Sequence, residues 1–205
     1  MITLYGMPDS GNCYKPRLLC ALTGRAFRHV QVSMLDGGTR TPGYLAMNPN
    51  GKVPLLRTGD GRFLPESNAI LTFLGEGTRF MPDDAFTRAE MFAWMFFEQY
   101  SHEPTVAVRR SLMIYPDLAA DATAERLAET LEGGGKALAV MEGRLAQAEW
   151  LAGDAPSLAD LCLYAYTHVA PEGGFELDAY PNLTVWLERV AGLTGFRPMD
   201  WLPDD

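Results

Sequence analysis

Asn48-Pro49-Asn50-Gly51-Lys52-Val53-Pro54-Leu55-Leu56, followed by Glu66-Ser67-Asn68-Ala69-Ile70, is the stretch from which the rest of this chain can be read. Its Asn, Pro and Gly residues mark a turn. The turn delivers Lys52 and Val53 to the start of a strand at Pro54. A proline at that place predicts a cis Val53–Pro54 bond, a feature of tight turns. In that geometry the Val53 N–H and C=O face outward and can pair with an extended peptide as a strand does. Glu66-Ser67 then opens a helix. Free N–H groups and the helix dipole favour a carboxylate there, and the Ser67 hydroxyl adds a donor. Glu66 can accept a hydrogen bond from an ammonium. Either half alone fits an ordinary turn or cap. Together, on one β-β-α unit, they fit the charged end of an amino acid.

Upstream, Ile2 to Tyr5 reads as a strand, Gly6 to Asn12 as a loop and Cys13 to Leu22 as a helix. Pro16 falls in the first turn of that helix and Gly24 caps its end. Phe27 to Val32 is a second strand, so the chain starts β-α-β with a right-handed parallel crossover. Asp36 to Gly51 reads mostly as loop. Val53 to Leu56 and Arg62 to Leu64 form a hairpin across Gly59-Asp60-Gly61, and Glu66 to Glu76 is a helix. Residues 1–76 are therefore expected to form a small α/β domain, 77–84 a linker, and 85–205 an all-helical domain. Helical periodicity covers Phe86 to Ser101 and Thr123 to Ala148, then Ser157 to His168 and Pro181 to Val190. Gly133-Gly134-Gly135 lies inside the second of these. Each glycine costs a helix about 1 kcal/mol, so a break is expected there. The tail from Pro198 reads as irregular.

The chain has 205 residues, 47% of them hydrophobic and 21% charged, which is ordinary globular composition. No apolar run is long enough to suggest a membrane span, and the opening residues do not read as a signal peptide. A net charge of −9 opposes nucleic acid as a partner. Cys13, Cys20 and Cys162 are too few and too odd in number for a disulfide framework, so a reducing compartment is expected. With no CxxC or HExxH pattern and three scattered histidines, no metal site is expected.

With these motifs in place, the chain resembles a cytosolic glutathione S-transferase over nearly its whole length. The NPxGKVPxL stretch and the following Glu-Ser match that family's glutathione-binding signature. The resemblance implies a thioredoxin-like N-terminal domain and a helical C-terminal one, with glutathione as co-substrate and no metal. It also implies a small hydrophobic electrophile, a homodimer and a cytoplasmic, detoxifying role. Lys52, Val53, Pro54, Glu66 and Ser67 become the glutathione-binding residues, with Lys52 near the glycyl carboxylate. Ser157-Leu158-Ala159-Asp160 matches a capping box and is read as structural.

Ser10-Gly11-Asn12-Cys13 lies at the start of the first helix, where a hydroxyl and the helix dipole can both lower a thiol's pKa. Ser10 is the expected donor and Asn12 a further one. Cys13 is the rival, since other members of the family use a cysteine in this loop to form a mixed disulfide with glutathione. Tyr5, inside a strand, is not the tyrosine-type catalyst. The second substrate is expected to draw on Tyr100, His102 and Arg109, polar tips of the otherwise apolar stretch Trp94 to Arg110. Three functions follow. The first is conjugation or reduction of electrophiles by glutathione thiolate. The second is a Cys13-based thiol–disulfide oxidoreductase, and the third is a non-catalytic glutathione-binding or scaffold protein.

Overall fold

The computed structural model describes residues Met1–Pro203. They fall into two compact units. The first runs from Met1 to Thr78 and includes the stretch from Leu193; the second is Arg79–Gly192.

The first unit is a four-stranded sheet with helices. Strands β1 (Ile2–Gly6), β2 (Phe27–Gln31), β3 (Leu55–Arg57) and β4 (Phe63–Pro65) are ordered β2-β1-β3-β4. β1 pairs parallel with β2 and antiparallel with β3, and β3 pairs antiparallel with β4. This is the predicted β-α-β followed by a hairpin. Helices α1 (Gly11–Thr23) and α3 (Ser67–Gly75) pack against each other. Leu18, Leu19, Leu55, Leu56, Ile70, Leu71 and Leu74 are fully buried between them and the sheet.

Three local details depart from the sequence reading. Ser10 caps α1 with its side chain, so the helix starts at Gly11. Pro16 therefore lies beyond the first turn, where its ring removes a backbone donor. Second, part of the predicted loop is helical: α2 (Pro42–Met47) starts at Thr41, whose side chain accepts from Tyr44 N, with Pro42 at the first position. Third, the irregular tail, expected beside the helices, packs in the first unit. Tyr14 Oη donates to Arg197 O at 2.5 Å, Arg17 Nη2 donates to Met199 O at 2.9 Å, and Phe27 meets Trp201 edge to face.

The second unit is helical: α4 (Ala85–Phe97), α5 (Val108–Ile114), α6 (Ala124–Leu145), α7 (Leu158–Thr167) and α8 (Pro181–Ala191). A π-helical segment, Glu98–Ala107, links α4 to α5 and contains Pro104. Pro104 lacks a donor and its ring clashes with the carbonyl a turn earlier. A widened turn is the form of helix that accommodates both. The expected break in α6 does not occur. Gly133 and Gly134 sit where α6 meets Thr105 and Phe175, and a Cβ on Gly133 would come within 2.6 Å of Thr105 Cγ2. These glycines let the helices approach rather than interrupt one. The core of this unit closes on Asp160, fully buried, which accepts from Leu151 N, Ser157 N, Ser157 Oγ and Trp186 Nε1 at 2.8–3.1 Å. Ser157 and Asp160 form the predicted capping box.

Candidate active site

The sheet register brings three loops to one end of the first unit. Tyr5 of β1 is opposite Leu55 of β3, and Leu55 is opposite Pro65 of β4. The exit of β1, the entry to β3 and the exit of β4 are thus neighbours. They lead respectively to Ser10, from Val53–Pro54, and to Glu66-Ser67.

The β3 entry is built by two side chains. Asn48, buried, donates from Nδ2 to Lys52 O at 2.8 Å and accepts from Asn50 N at 3.2 Å. Tyr44 Oη donates to the same Lys52 carbonyl at 2.7 Å. Burial pushes the Tyr44 phenol up to about 12, which keeps it a donor. Gly51 turns with φ of 60°, and the Val53–Pro54 bond is cis, as the sequence predicts. The Lys52 side chain stays exposed, Val53 is half-buried and Pro54 is buried.

At the β4 exit, Glu66 is exposed and has φ of 72°, a non-glycine residue in a region L side chains rarely adopt. It precedes α3 without a side-chain capping bond, so the first N–H groups of α3 gain no such partner from Glu66. Ser67 is buried. Its hydroxyl donates to Asn12 Oδ1 at 3.1 Å and accepts from Lys15 Nζ at 3.3 Å. That differs from the expected free donor: the hydroxyl is held between α3 and α1.

The knot that holds it is Lys15, fully buried in the second turn of α1. Its ammonium donates to Asn12 Oδ1 at 2.8 Å, Ser67 Oγ at 3.3 Å and Asn68 Oδ1 at 3.2 Å. A buried cation needs such oxygens to offset its lost hydration. Lys15 thus places a positive charge where two helices already present the positive ends of their dipoles. Asn12 Oδ1 is a brace in this cluster.

Ser10 and Cys13 differ in access. Ser10 is half-buried at the cap of α1, its Oγ accepting from Cys13 N at 3.3 Å. Cys13 is 3% exposed, and its Sγ lies against Gly6 so closely that a Cβ there would come within 2.6 Å. Burial raises the Cys13 thiol pKa; the Ser10 hydroxyl, the Met7 backbone and the Arg17 charge oppose it but do not reverse it. The loop itself is anchored by Arg17 Nη2, which donates to Pro8 O at 2.5 Å.

Comparison with known proteins identifies the family. The glutathione S-transferase N-terminal domain model matches residues 4–78, and the glutathione S-transferase C-terminal domain model matches residues 91–193. This chain belongs to the glutathione S-transferase family. A crystal structure of glutathione S-transferase from Pseudomonas fluorescens superposes with a TM-score of 0.93 at 45% identity, covering 97% of this chain and 98% of that one. Glutathione S-transferase 3 of Zea mays is 31% identical over 96% of this chain and 91% of its own length. Maleylacetoacetate isomerase of Rhizobium meliloti is 32% identical over 95% of this chain and 93% of its own. As in that family, the chain pairs a thioredoxin-like N-terminal domain with a helical C-terminal region.

The three residues expected to serve a second substrate meet different fates. Tyr100 is 89% exposed. His102 is fully buried, its Nε2 3.0 Å from Thr167 Oγ1. Arg109 donates from Nε to Gly173 O at 2.5 Å and from Nη1 to Leu127 O, and lies over the Phe175 ring. His102 and Arg109 are therefore engaged inside the helical unit and tie its segments together, rather than standing as polar tips. Sequence reading missed Lys15, Asn68 and Tyr44. Lys15 left one signal, a lysine that shares with Arg17 an otherwise apolar run from Tyr14 to Leu22.

Proposed function

We propose that this protein is a glutathione transferase in which Ser10 stabilises the thiolate of bound glutathione. The convergence of Ser10, Val53–Pro54 and Glu66-Ser67 at one end of the sheet carries the reading. Glutathione would lie extended along Val53, its γ-glutamyl carboxylate at the start of α3 above Lys15. Its ammonium would meet Glu66, and its glycyl carboxylate would lie near the exposed Lys52. The thiol then reaches the α1 cap, where a hydroxyl donor and the helix dipole favour the thiolate. The thiolate attacks an electrophilic carbon, or the oxygen of a peroxide, and the leaving group departs with the displaced electron pair. Small apolar electrophiles are the substrate class. The relative named maleylacetoacetate isomerase puts maleylacetoacetate among the compounds to assay. A cytoplasmic homodimer goes with this reading, supported by the family and, for compartment, by cysteines that stay thiols.

Cys13 is the weaker nucleophile on this structure, because a sulfur packed against Gly6 with a raised pKa holds little thiolate at neutral pH. The deciding experiment is a pH profile of kcat/KM with an aryl halide. Ser10→Ala should move the thiol limb upward by about one unit, which costs about tenfold in rate below it. Cys13→Ala should leave both limb and disulfide reduction unchanged. A Ser10→Ala limb that stays in place, or a Cys13→Ala enzyme without activity, overturns the assignment. Retention on immobilised glutathione with no turnover of any electrophile or peroxide favours the scaffold function.

A further inference from the structure

The tail from Leu193 lies along α1 in the first unit, and its contacts lead to the loop that carries Ser10. Gly195, with φ of 91°, passes the end of α1 so closely that a Cβ there would lie 3.0 Å from Ala21 O. Two residues on, Arg197 O accepts from the Tyr14 hydroxyl, and Met199 O then accepts from Arg17 Nη2. Tyr14 and Arg17 are three residues apart, so they share one face of the helix. Trp201 meets Phe27 edge to face, with ring centres 6.0 Å apart. The tail is thus held by its backbone at two α1 side chains and by one ring beyond them.

Arg17 carries the connection further. Its side chain is buried, and the Nη2 that donates to Met199 O also donates to Pro8 O. Its Nε and Nη1 are buried and make no hydrogen bond among the described residues. The bonding of this buried cation therefore runs through one nitrogen to two carbonyls, one in the loop and one in the tail. Carboxylates stand on both sides as well. Burial lowers the guanidinium pKa, and Asp9 of the loop and Asp200 of the tail are among the charges that oppose the fall. A buried charge that loses one of so few acceptors is strongly disfavoured, so the loop contact and the tail contact depend on each other. Pro8 is two residues from Ser10, whose carbonyl accepts from Tyr14 N at 2.8 Å and whose hydroxyl accepts from Cys13 N at 3.3 Å. The span 8–10 is thus pinned to α1 at both ends.

We propose that Arg17 is a positioning residue for the glutathione reaction: it clamps the tail to the Ser10 loop, so that the tail, remote in sequence, holds the Ser10 hydroxyl in place. The proposal rests on the Ser10 reading above. Phe27, which Trp201 meets, is opposite Ile2 at the start of β1. Ser10 follows the end of that strand, about 13 Å away along it. Loosening the ring anchor therefore reaches Ser10 through the tail and Arg17.

The test uses the full chain with Arg17→Met and, separately, with Trp201→Ala, which leaves the Arg17 charge in place. Amide hydrogen exchange reads the loop directly. The Cys13 and Tyr14 amides are held by Ser10, and the Ile70 amide, on α3, by Glu66 O. In both variants the first two should exchange at least tenfold faster relative to Ile70, whereas global destabilisation speeds all three alike. In the pH profile of kcat/KM, both variants should move the thiol limb upward by about half a unit, about threefold in rate below it, with KM for glutathione unchanged. Combined with Ser10→Ala, neither should move the limb further, since the hydroxyl being positioned is gone. Unchanged Cys13 and Tyr14 exchange in Trp201→Ala overturns the clamp. So does a limb that moves in Arg17→Met alone, which assigns the effect to charge, and so does a shift that adds in full to that of Ser10→Ala. A Ser10→Ala limb that stays in place overturns the Ser10 reading instead, and the exchange ratio still decides the clamp.

Discussion

The backbone of Glu66 offers a direct test of why that residue is where it is. With φ of 72° and ψ of 117°, it lies in a region open to glycine and disfavoured for anything carrying a Cβ. Such a conformation costs on the order of 1–3 kcal/mol. Two variants separate the backbone from the carboxylate. Glu66→Ala removes the charge and keeps the Cβ; Glu66→Gly removes both. Glycine relieves the strain but carries about 0.5–1 kcal/mol more chain entropy when unfolded. The glycine variant should therefore be the more stable of the pair by about 1 kcal/mol. For a chain of this size that raises Tm by about 2–4 °C over the alanine variant.

The same pair tests function. Both variants lose the acceptor proposed for the glutathione ammonium. A hydrogen bond to a charged group contributes about 1.5–3 kcal/mol, with the lower end apt for an exposed residue. Glutathione affinity should fall about tenfold in each. Scanning calorimetry gives the stability difference and titration calorimetry the affinity. An alanine variant as stable as the glycine variant would refute the strain argument. An alanine variant that binds glutathione like the parent would refute the ammonium contact. With both results in the expected direction, Glu66 is a residue whose strained backbone is kept for its carboxylate.

Other perturbations follow from the same structure. Lys15→Met, of similar volume, should weaken glutathione about tenfold and raise KM more than it lowers kcat, since the ammonium supports the carboxylate and not the sulfur; steady-state kinetics reads the split. Gly134→Ala drives a methyl into Phe175 and should cost about 1–3 kcal/mol in denaturant unfolding, with partial rescue by Phe175→Leu. His29, whose pKa falls from 6.5 to about 4 on folding, stays neutral in the native state while the unfolded chain takes up a proton. Its stabilising effect is full above 6.5 and is lost as pH falls toward 4; His29→Gln should flatten that part of the stability–pH curve.

What the sequence made legible was local backbone chemistry. The turn at Asn48–Gly51, the proline after Val53 and the helix start at Ser67 are each written in neighbouring residues, and the hairpin that unites them is short. α2 escaped because six residues are too few for a period to register. The α6 glycines were misread because helix propensity measures an isolated helix and says nothing of a neighbour pressing on it. Side-chain roles were hardest. Lys15 and His102 are both polar residues on helical segments, and both turn out fully buried. Their partners separate them. His102 meets the hydroxyl of Thr167, in the last turn of α7, and joins two helical segments. Lys15 meets three oxygens at the starts of α1 and α3, where dipoles and ammonium add to one positive field. A brace that carries charge and stands between two helix starts also attracts an anion, so Lys15 belongs to the proposed site while His102 belongs to the scaffold. That distinction depends on which helix ends are packed together, and only the folded chain contains it.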